Sequence, residues 1–394
     1  MQVQPTPPEN VGKQWFDYPA HHWMHHYLRG KLGLNVGLDN NLDGLNKYLY
    51  GMHRGRYYLV GADSGVGKTT FVDYGFVLNA WYAAKKANKR LHIFYYSFEI
   101  SKVEKTSRWI SFMVYKQFGK IIPSEYIMNR IEGVPLTEED AKMVEAVFPL
   151  VEEIMRDIQF VEDPIHPTFI FQTLIDHHFD HIGKVERAEP TEEQRKQKRK
   201  GRIISYTPKP DHMDDMTLVV VDHVALTLSE KGMSTKETID RLSSYFVQLR
   251  NLFGATIVVV QQFNSDLQTF NRNMQLRSRG ASIILPQKLD FGDSKYTYRD
   301  ADVVIGLVKP AQFDLDTFFD VDIKLFREYY ISASLMKNRY GSDNHMFDYF
   351  VNPIVGSFEY IDDARSTNPF LTETYLPKIE ELDECQKLFY PKRK

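Results

Sequence analysis

The chain has 394 residues, 43% of them hydrophobic and 26% charged, with a formal net charge of −3; this balance excludes a wholly disordered protein and one coated in basic surface, and it suits one large α/β domain or two smaller ones. Nucleic acid stays open as a partner, because an assembly can concentrate Lys and Arg along a channel while its exterior remains acidic. The single cysteine, Cys385, permits no disulfide framework or thiolate metal site within one chain, and no stretch approaches about 18 consecutive apolar residues, so a soluble, cytoplasmic protein without a membrane partner is expected.

Residues 1–12 are polar and Pro-rich and read as disordered. Residues 13–35 carry Trp15, Phe16, His21, His22, Trp23, His25 and His26, a composition suited to a short amphipathic linker helix that docks on a neighbour. No carboxylate or cysteine completes a ligand set there, so packing at an interface is preferred to a metal site. From residue 36 the pattern alternates. Apolar runs rich in β-branched and aromatic residues at 57–60, 92–97, 158–162, 218–222, 256–261, 303–307 and 329–335 predict strands, and 69–88, 102–118, 138–156 and 236–252 predict helices. Near-continuous apolar strands between helices indicate a mostly parallel, twisted sheet covered on both faces. Two further runs, 345–352 and 357–361, predict a C-terminal β-hairpin. The segment 184–214 breaks the rhythm with the basic run Arg195 to Arg202 and reads as a solvated insertion loop, the sharper alternative being a basic arm on nucleic acid. Residues 363–394 read as a tail, acidic and then basic.

Chemistry concentrates at strand ends. Ala62, Asp63, Ser64, Gly65, Val66, Gly67, Lys68, Thr69 and Thr70 form a phosphate-binding loop between the first strand and first helix. Its glycines let successive N–H groups face one concavity, Lys68 reaches the β- and γ-phosphates, and the Thr69 hydroxyl ligates Mg²⁺. The run Leu218 to Asp222 places a second carboxylate beside that loop, where Asp222 holds the Mg²⁺ water shell. Glu99 ends the 92–97 strand, as a general base for the attacking water or merely as a first-turn helix residue. Gln262 and Asn264 end the 256–261 strand, where an amide can contact the γ-phosphate. The following stretch to residue 299 is long, with Arg272, Arg277, Arg279, Lys288 and Lys295 available for single-strand phosphates. Lys337 and Arg339 end the 329–335 strand as an arginine-finger pair or as an ordinary surface pair.

Taken in order, these segments resemble the C-terminal ATPase domain of the DnaB-type replicative DNA helicases, a ring-forming family (superfamily 4) with a RecA-like P-loop core. Gly37-Leu38-Asp39 is similar to the family's lead-in. Ser97-Phe98-Glu99-Ile100-Ser101 with Arg108 is similar to its Ser-Leu-Glu-Met segment, whose glutamate is the catalytic base. Gln262-Phe263-Asn264 is similar to its Ser-Gln-Leu-Asn sensor, and Asp290 through Asp302 to the segment closing its DNA-facing loop. Lys337-Asn338-Arg339-Tyr340-Gly341 is similar to its Lys-x-Arg-x-Gly finger. The resemblance spans about residues 36–362. It implies ATP and Mg²⁺ as cofactors, a homo-hexamer, 5′–3′ movement on single-stranded DNA, unwinding of forked duplex, and a primase or loader as a further partner. The departures are His223 where Tyr is usual, Ser265 where Arg is common, and Lys295 where Gly is usual. Only residues 1–35 stand where the family carries its primase-interacting helical domain. A compact, divergent member of this kind is most typical of a bacteriophage, acting in the host cytoplasm. A second reading is a RecA- or KaiC-like DNA-binding or regulatory ATPase without unwinding activity; a genome-packaging motor would need a nuclease domain as well.

Overall fold

The computed structural model describes residues 27, 30–31, 36–196, 200–264, 281–292, 295–313, 315–319, 321–362 and 369–390. The His-rich segment proposed as a linker helix therefore lies outside the described residues, apart from 27, 30 and 31.

Helix α1 (Asp43–Leu49) leads into strand β1 (Tyr57–Ala62), followed by helix α2 (68–86), β2 (Leu91–Ser97), α3 (Lys102–Phe118), α4 (Glu138–Asp157), β3 (Ile158–Val161) and α5 (167–182). A hairpin of β4 (Gly183–Arg187) and β5 (Ile203–Pro208) precedes β6 (Met216–Asp222), α6 (235–253), β7 (Thr256–Gln262), α7 (Lys295–Asp300) and β8 (Val303–Val308). Two short strands, β9 (Thr317–Phe318) and β10 (Val321–Asp322), precede β11 (Tyr330–Asn338), β12 (His345–Asn352), β13 (Ser357–Ile361) and helix α8 (Pro369–Phe389).

Nine strands form one sheet in the order β13-β12-β11-β8-β1-β7-β6-β2-β3. The stretch from β8 to β3 is parallel, and β11, β12 and β13 extend it antiparallel. Every residue of β1, β6 and β8 is buried, as a sheet sandwiched between helices requires. The chain leaves β1 toward β2 on one side, and β8 closes on the other, so a crevice opens at the carboxyl end of β1.

Two sequence expectations change. The 184–214 segment is not all loop: β4 and β5 pair from Gly183↔Pro208 to Arg187↔Ile203, and Tyr206 packs its ring against Phe179 and Phe253. Short alternating stretches on either side of the charged run carry the pairing, and the run itself masked them. Residues 369–389 form a helix whose Leu371, Tyr375, Ile379 and Leu382 are buried along one side. That face packs with Phe326, Tyr330 and Phe350 in a second core.

His178 of α5 is buried against Phe94 and Phe179, with Nε2 2.7 Å from Thr217 Oγ1. Burial, aided by neighbouring His92, lowers its pKa from 6.5 to about 3. The unfolded chain then takes up this proton before the folded one does, so this group's contribution to stability is lost progressively as pH falls from 6.5 toward 3. His178→Gln is expected to flatten that decline, read as urea midpoints between about pH 7 and pH 4; identical pH slopes in both proteins would contradict it.

Candidate active site

The turn after β1 depends on two glycines in the left-handed region, Gly65 at φ +73° and Gly67 at φ +106°, where side-chain-bearing residues are strained. Buried Val66 ties the loop to the core. Helix α2 starts at Lys68 with Gly67 as N-cap and no side-chain cap. The N–H groups of its first turn, and the positive end of its dipole, are thus left to an anion. Residues Ala62, Asp63, Ser64, Gly65, Val66, Gly67, Lys68, Thr69 and Thr70 fall together in this one loop and first turn. Lys68 Nζ donates to the Asp63 carbonyl at 2.9 Å. Burial lowers the Lys68 pKa, against the pull of Glu99, Asp222 and Asp63.

Thr69 Oγ1 donates to Asp222 Oδ1 at 3.1 Å, so the ends of β1 and β6 converge as their sequences suggest. Phe98 N donates to the Asp222 carbonyl at 2.9 Å, pinning the end of β2 alongside. Glu99 lies just beyond, exposed, and its charge acts on both Lys68 and His223. Burial lowers the His223 pKa. A hydroxyl and a carboxylate as oxygen donors beside an anion-binding loop fit Mg²⁺, with Thr69 as ligand and Asp222 behind it.

A charged cluster that sequence reasoning missed stands behind Asp222. Lys105 of α3 is wholly buried (0% exposed), between Asp222 (1%) and Asp73 (7%). Its Nζ lies 3.4 Å from Asp222 Oδ2 and 3.1 Å from Asp73 Oδ2, and it donates to the Tyr95 hydroxyl at 2.7 Å. Tyr95 in turn donates to Asp73 Oδ1 at 2.7 Å, and Trp109 Nε1 to Asp73 Oδ2 at 3.2 Å. Asp73 opens a buried π-helical segment of α2, Asp73–Asn79, which directs it inward. Burial raises its pKa while Lys105 opposes the rise.

The sheet edge also carries Gln262, exposed and in register with Ala62. The link from β7 toward α7 runs instead through buried Gln261, whose Nε2 donates to the Phe291 carbonyl and whose Oε1 accepts from Thr297 at 2.7 Å. Lys288 is exposed near this edge, 5.5 Å from the Tyr298 ring centre. Arg272, Arg277, Arg279 and the Lys295 side chain lie outside the described residues.

Lys337 and Arg339 are elsewhere. Lys337 pairs with Val304, and Arg339 N donates to the Asp302 carbonyl at 2.9 Å, at the amino end of β8. Both side chains converge on the carboxyl end of α7. Lys337 Nζ donates to the carbonyls of Tyr298, Arg299 and Ala301 at 2.9, 2.8 and 2.7 Å, and Arg339 Nη2 to Arg299 at 2.8 Å. Burial, then the charge of Arg339, lowers the Lys337 pKa to about 8. Arg339 also pairs with Asp302 at 3.0 Å. Both are thus bonded within the chain, Arg339 at the surface and Lys337 half-buried.

In the insertion, Arg195 pairs with Glu189 and Lys200 with Asp176, so part of its basic charge is compensated locally. Among the described residues, His92, His212 and Asp215 have metal-ligand spacing at the far end of β2 and β6. Asp215 already bonds both imidazoles at 2.9 and 2.7 Å and Arg90 at 3.1 Å, which accounts for the cluster as an ion-pair network.

No family model and no curated protein matches the chain. Solved structures do. A solved ATPase domain superposes with a TM-score of 0.59 at 15% identity, over 87% of this chain and 98% of that one. A DnaB-like replicative helicase, solved for its interactions with primase, superposes with a TM-score of 0.58 at 15% identity, over 86% of this chain and 66% of that one. The chain thus shares the fold of these ATPase domains, the RecA-like α/β core that the sequence resemblance implies, and it spans just under two thirds of the helicase chain.

Lys105→Met removes the cation between two buried carboxylates and is expected to destabilise the fold by about 3–5 kcal/mol. Adding Asp73→Asn should recover part of that loss, because one of the stranded charges is gone. An unchanged denaturation midpoint in Lys105→Met would refute the network.

Proposed function

We propose that this chain is an ATP-driven DNA helicase subunit that works in a ring of copies, with each ATP hydrolysed between two of them. The observation that carries the reading is the separation of its two sets of phosphate-seeking side chains. Lys68 and Thr69 follow the carboxyl end of β1, whereas Asp302, which anchors Arg339, bonds the Tyr57 backbone at the amino end of the same strand. A strand rises about 3.3 Å per residue, so Arg339 cannot reach the nucleotide held by its own loop. In a closed head-to-tail ring, the opposite edges of neighbouring copies meet.

On this reading the loop 62–70 binds the phosphates, and Lys68 offsets charge developing on the γ-phosphoryl group. Thr69 would hold Mg²⁺, with Asp222 orienting its water shell, and the bound ion would offset negative charge on the phosphates. Glu99 accepts a proton from water as the water oxygen bonds to the γ-phosphorus and the bond to the β–γ bridging oxygen breaks, releasing ADP. Arg339 of the next copy exchanges Asp302 for the γ-phosphate, with Lys337 holding the end of α7 beside it. Gln262, next to the loop, senses the γ-phosphate. Gln261 carries the change to the segment where Arg272, Arg277, Arg279, Lys288 and Lys295 are proposed to hold single-stranded DNA. The likeness to a helicase solved with primase interactions supports primase as a partner, and 5′–3′ polarity and six-fold assembly are proposed on the same resemblance.

Glu99→Ala and Arg339→Ala should each stop hydrolysis while retaining nucleotide binding. Mixing the two variants should restore part of the rate, because some interfaces then join an intact Glu99 to an intact Arg339; no recovery on mixing would argue against a finger supplied in trans. The unaltered protein should separate a forked duplex bearing a 5′ single-stranded tail. DNA-stimulated hydrolysis without strand separation would sink the helicase reading and leave a nucleotide-switched DNA-binding ATPase.

A further inference from the structure

The ion pairs around Asp215 gather two imidazoles and a carboxylate at the amino end of β2 and β6. His92 is the second residue of β2, in register with Thr217 of β6. His212 and Asp215 lie on the connector 209–215 between β5 and β6. That connector turns twice: His212 N donates to the Lys209 carbonyl at 2.9 Å, and Asp215 N to the His212 carbonyl at 3.2 Å. The turns bring residues three apart in the chain to the same place as His92.

We propose that His92 Nε2, His212 Nδ1 and Asp215 Oδ2 bind a divalent cation of the Zn²⁺ type, which staples the connector 209–215, and with it the β4–β5 hairpin, to β2. The cluster lies at the end of the parallel strands opposite the loop 62–70, so its cation is independent of the nucleotide reading.

Geometry is the first support. Both imidazoles meet one carboxylate oxygen, with His92 Nε2 at 2.9 Å and His212 Nδ1 at 2.7 Å from Asp215 Oδ2. Among the described residues these three ligand atoms lie within 4.8 Å of one another. Tetrahedral bonds of about 2.0–2.2 Å put ligand atoms roughly 3.3–3.5 Å apart, so shifts of about half an ångström turn the hydrogen-bonded set into a ligand set. Two nitrogens and one oxygen favour Zn²⁺ over Mg²⁺ or Ca²⁺, which take oxygen, and water completes the shell.

The surrounding groups are the second support. With a cation on Nδ1, the His212 proton sits on Nε2, 3.5 Å from Asp211 Oδ2, an arrangement that orients imidazole ligands. Arg90 Nε bonds Asp215 Oδ1 at 3.1 Å, the oxygen that the cation does not take, and so fixes the carboxylate. Its charge opposes the cation's, and Asp211 and Asp215 offset both. His178 stands behind as no ligand, since its Nε2 is bonded to Thr217 Oγ1 at 2.7 Å. The Asp215 side chain is 5% exposed and those of His92 and His212 are 30% and 17% exposed, which anchors the carboxylate and leaves a path from solvent.

The test titrates Zn²⁺ calorimetrically into the full chain, without nucleotide and in excess Mg²⁺. The background protein has His21, His22, His25 and His26 all changed to Gln, which removes the N-terminal histidines as competitors. Uptake of one Zn²⁺ per chain at micromolar or lower concentration is expected, together with a higher thermal midpoint. His92→Gln and His212→Gln, each added to that background, should weaken uptake by more than about tenfold, because loss of even an outer partner costs that much, and should abolish the thermal shift. Should one variant fail to fold, the other carries the comparison. No uptake by the background protein, or unchanged affinity in either folded variant, would overturn the proposal and leave the cluster an ion-pair network only.

Discussion

The hydrogen bond from Thr69 to Asp222 joins the loop after β1 to the end of β6, 153 residues along the chain, and a buried cation holds it in place. Asp222 cannot sit uncompensated at 1% exposure, since desolvating a lone carboxylate is prohibitive. Lys105 supplies the opposite charge, and Asp73 and Tyr95 supply its remaining partners. Those residues lie on α3, α2 and β2 in turn, so one electrostatic requirement fixes the mutual positions of the loop helix, the Asp222 strand and the strand that presents Glu99. On the proposed reading, loss of that cation would disturb hydrolysis through geometry, without touching a phosphate.

A comparable hub stands at the opposite edge. Asp302 bonds Tyr57 N at 2.9 Å, Arg250 at 2.8 Å and Arg339 at 3.0 Å. Arg339 and Lys337 also gather the carbonyls that end α7, a cationic counterpart to the helix's negative end. Both side chains are held by these hydrogen bonds, while the backbone is fixed where β11 pairs with β8. On the proposed reading, the molecule carries a phosphate-binding loop at one edge and the cations that would complete it at the other.

Much of this was legible in the sequence. Runs such as Val219-Val220-Val221 and Ile257 to Val260 announce buried parallel strands, and the ends of β1 and β6 meet through Thr69 and Asp222. The Asp73–Lys105–Asp222 cluster was not legible, because its members are far apart in the chain and Lys105 lies in a helix of mixed polarity, where a lysine ordinarily faces water. The β4–β5 hairpin was hidden by the charge run between its strands. Helix α8 was hidden in another way: its buried Leu371, Tyr375, Ile379 and Leu382 are spaced along acidic sequence, and their burial depends on a second core that no local pattern reveals. Sequence order suggested a paired role for Lys337 and Arg339; only the sheet register reveals which edge they occupy.

The central claim is that each chain contributes half of two sites. Particle mass, measured with a non-hydrolysable ATP analogue and single-stranded DNA, tests it most directly. The account expects closed rings of six copies, and a rate of ATP hydrolysis per chain that rises with concentration as they form. Monomers under those conditions, hydrolysing ATP at a per-chain rate independent of concentration, would contradict it.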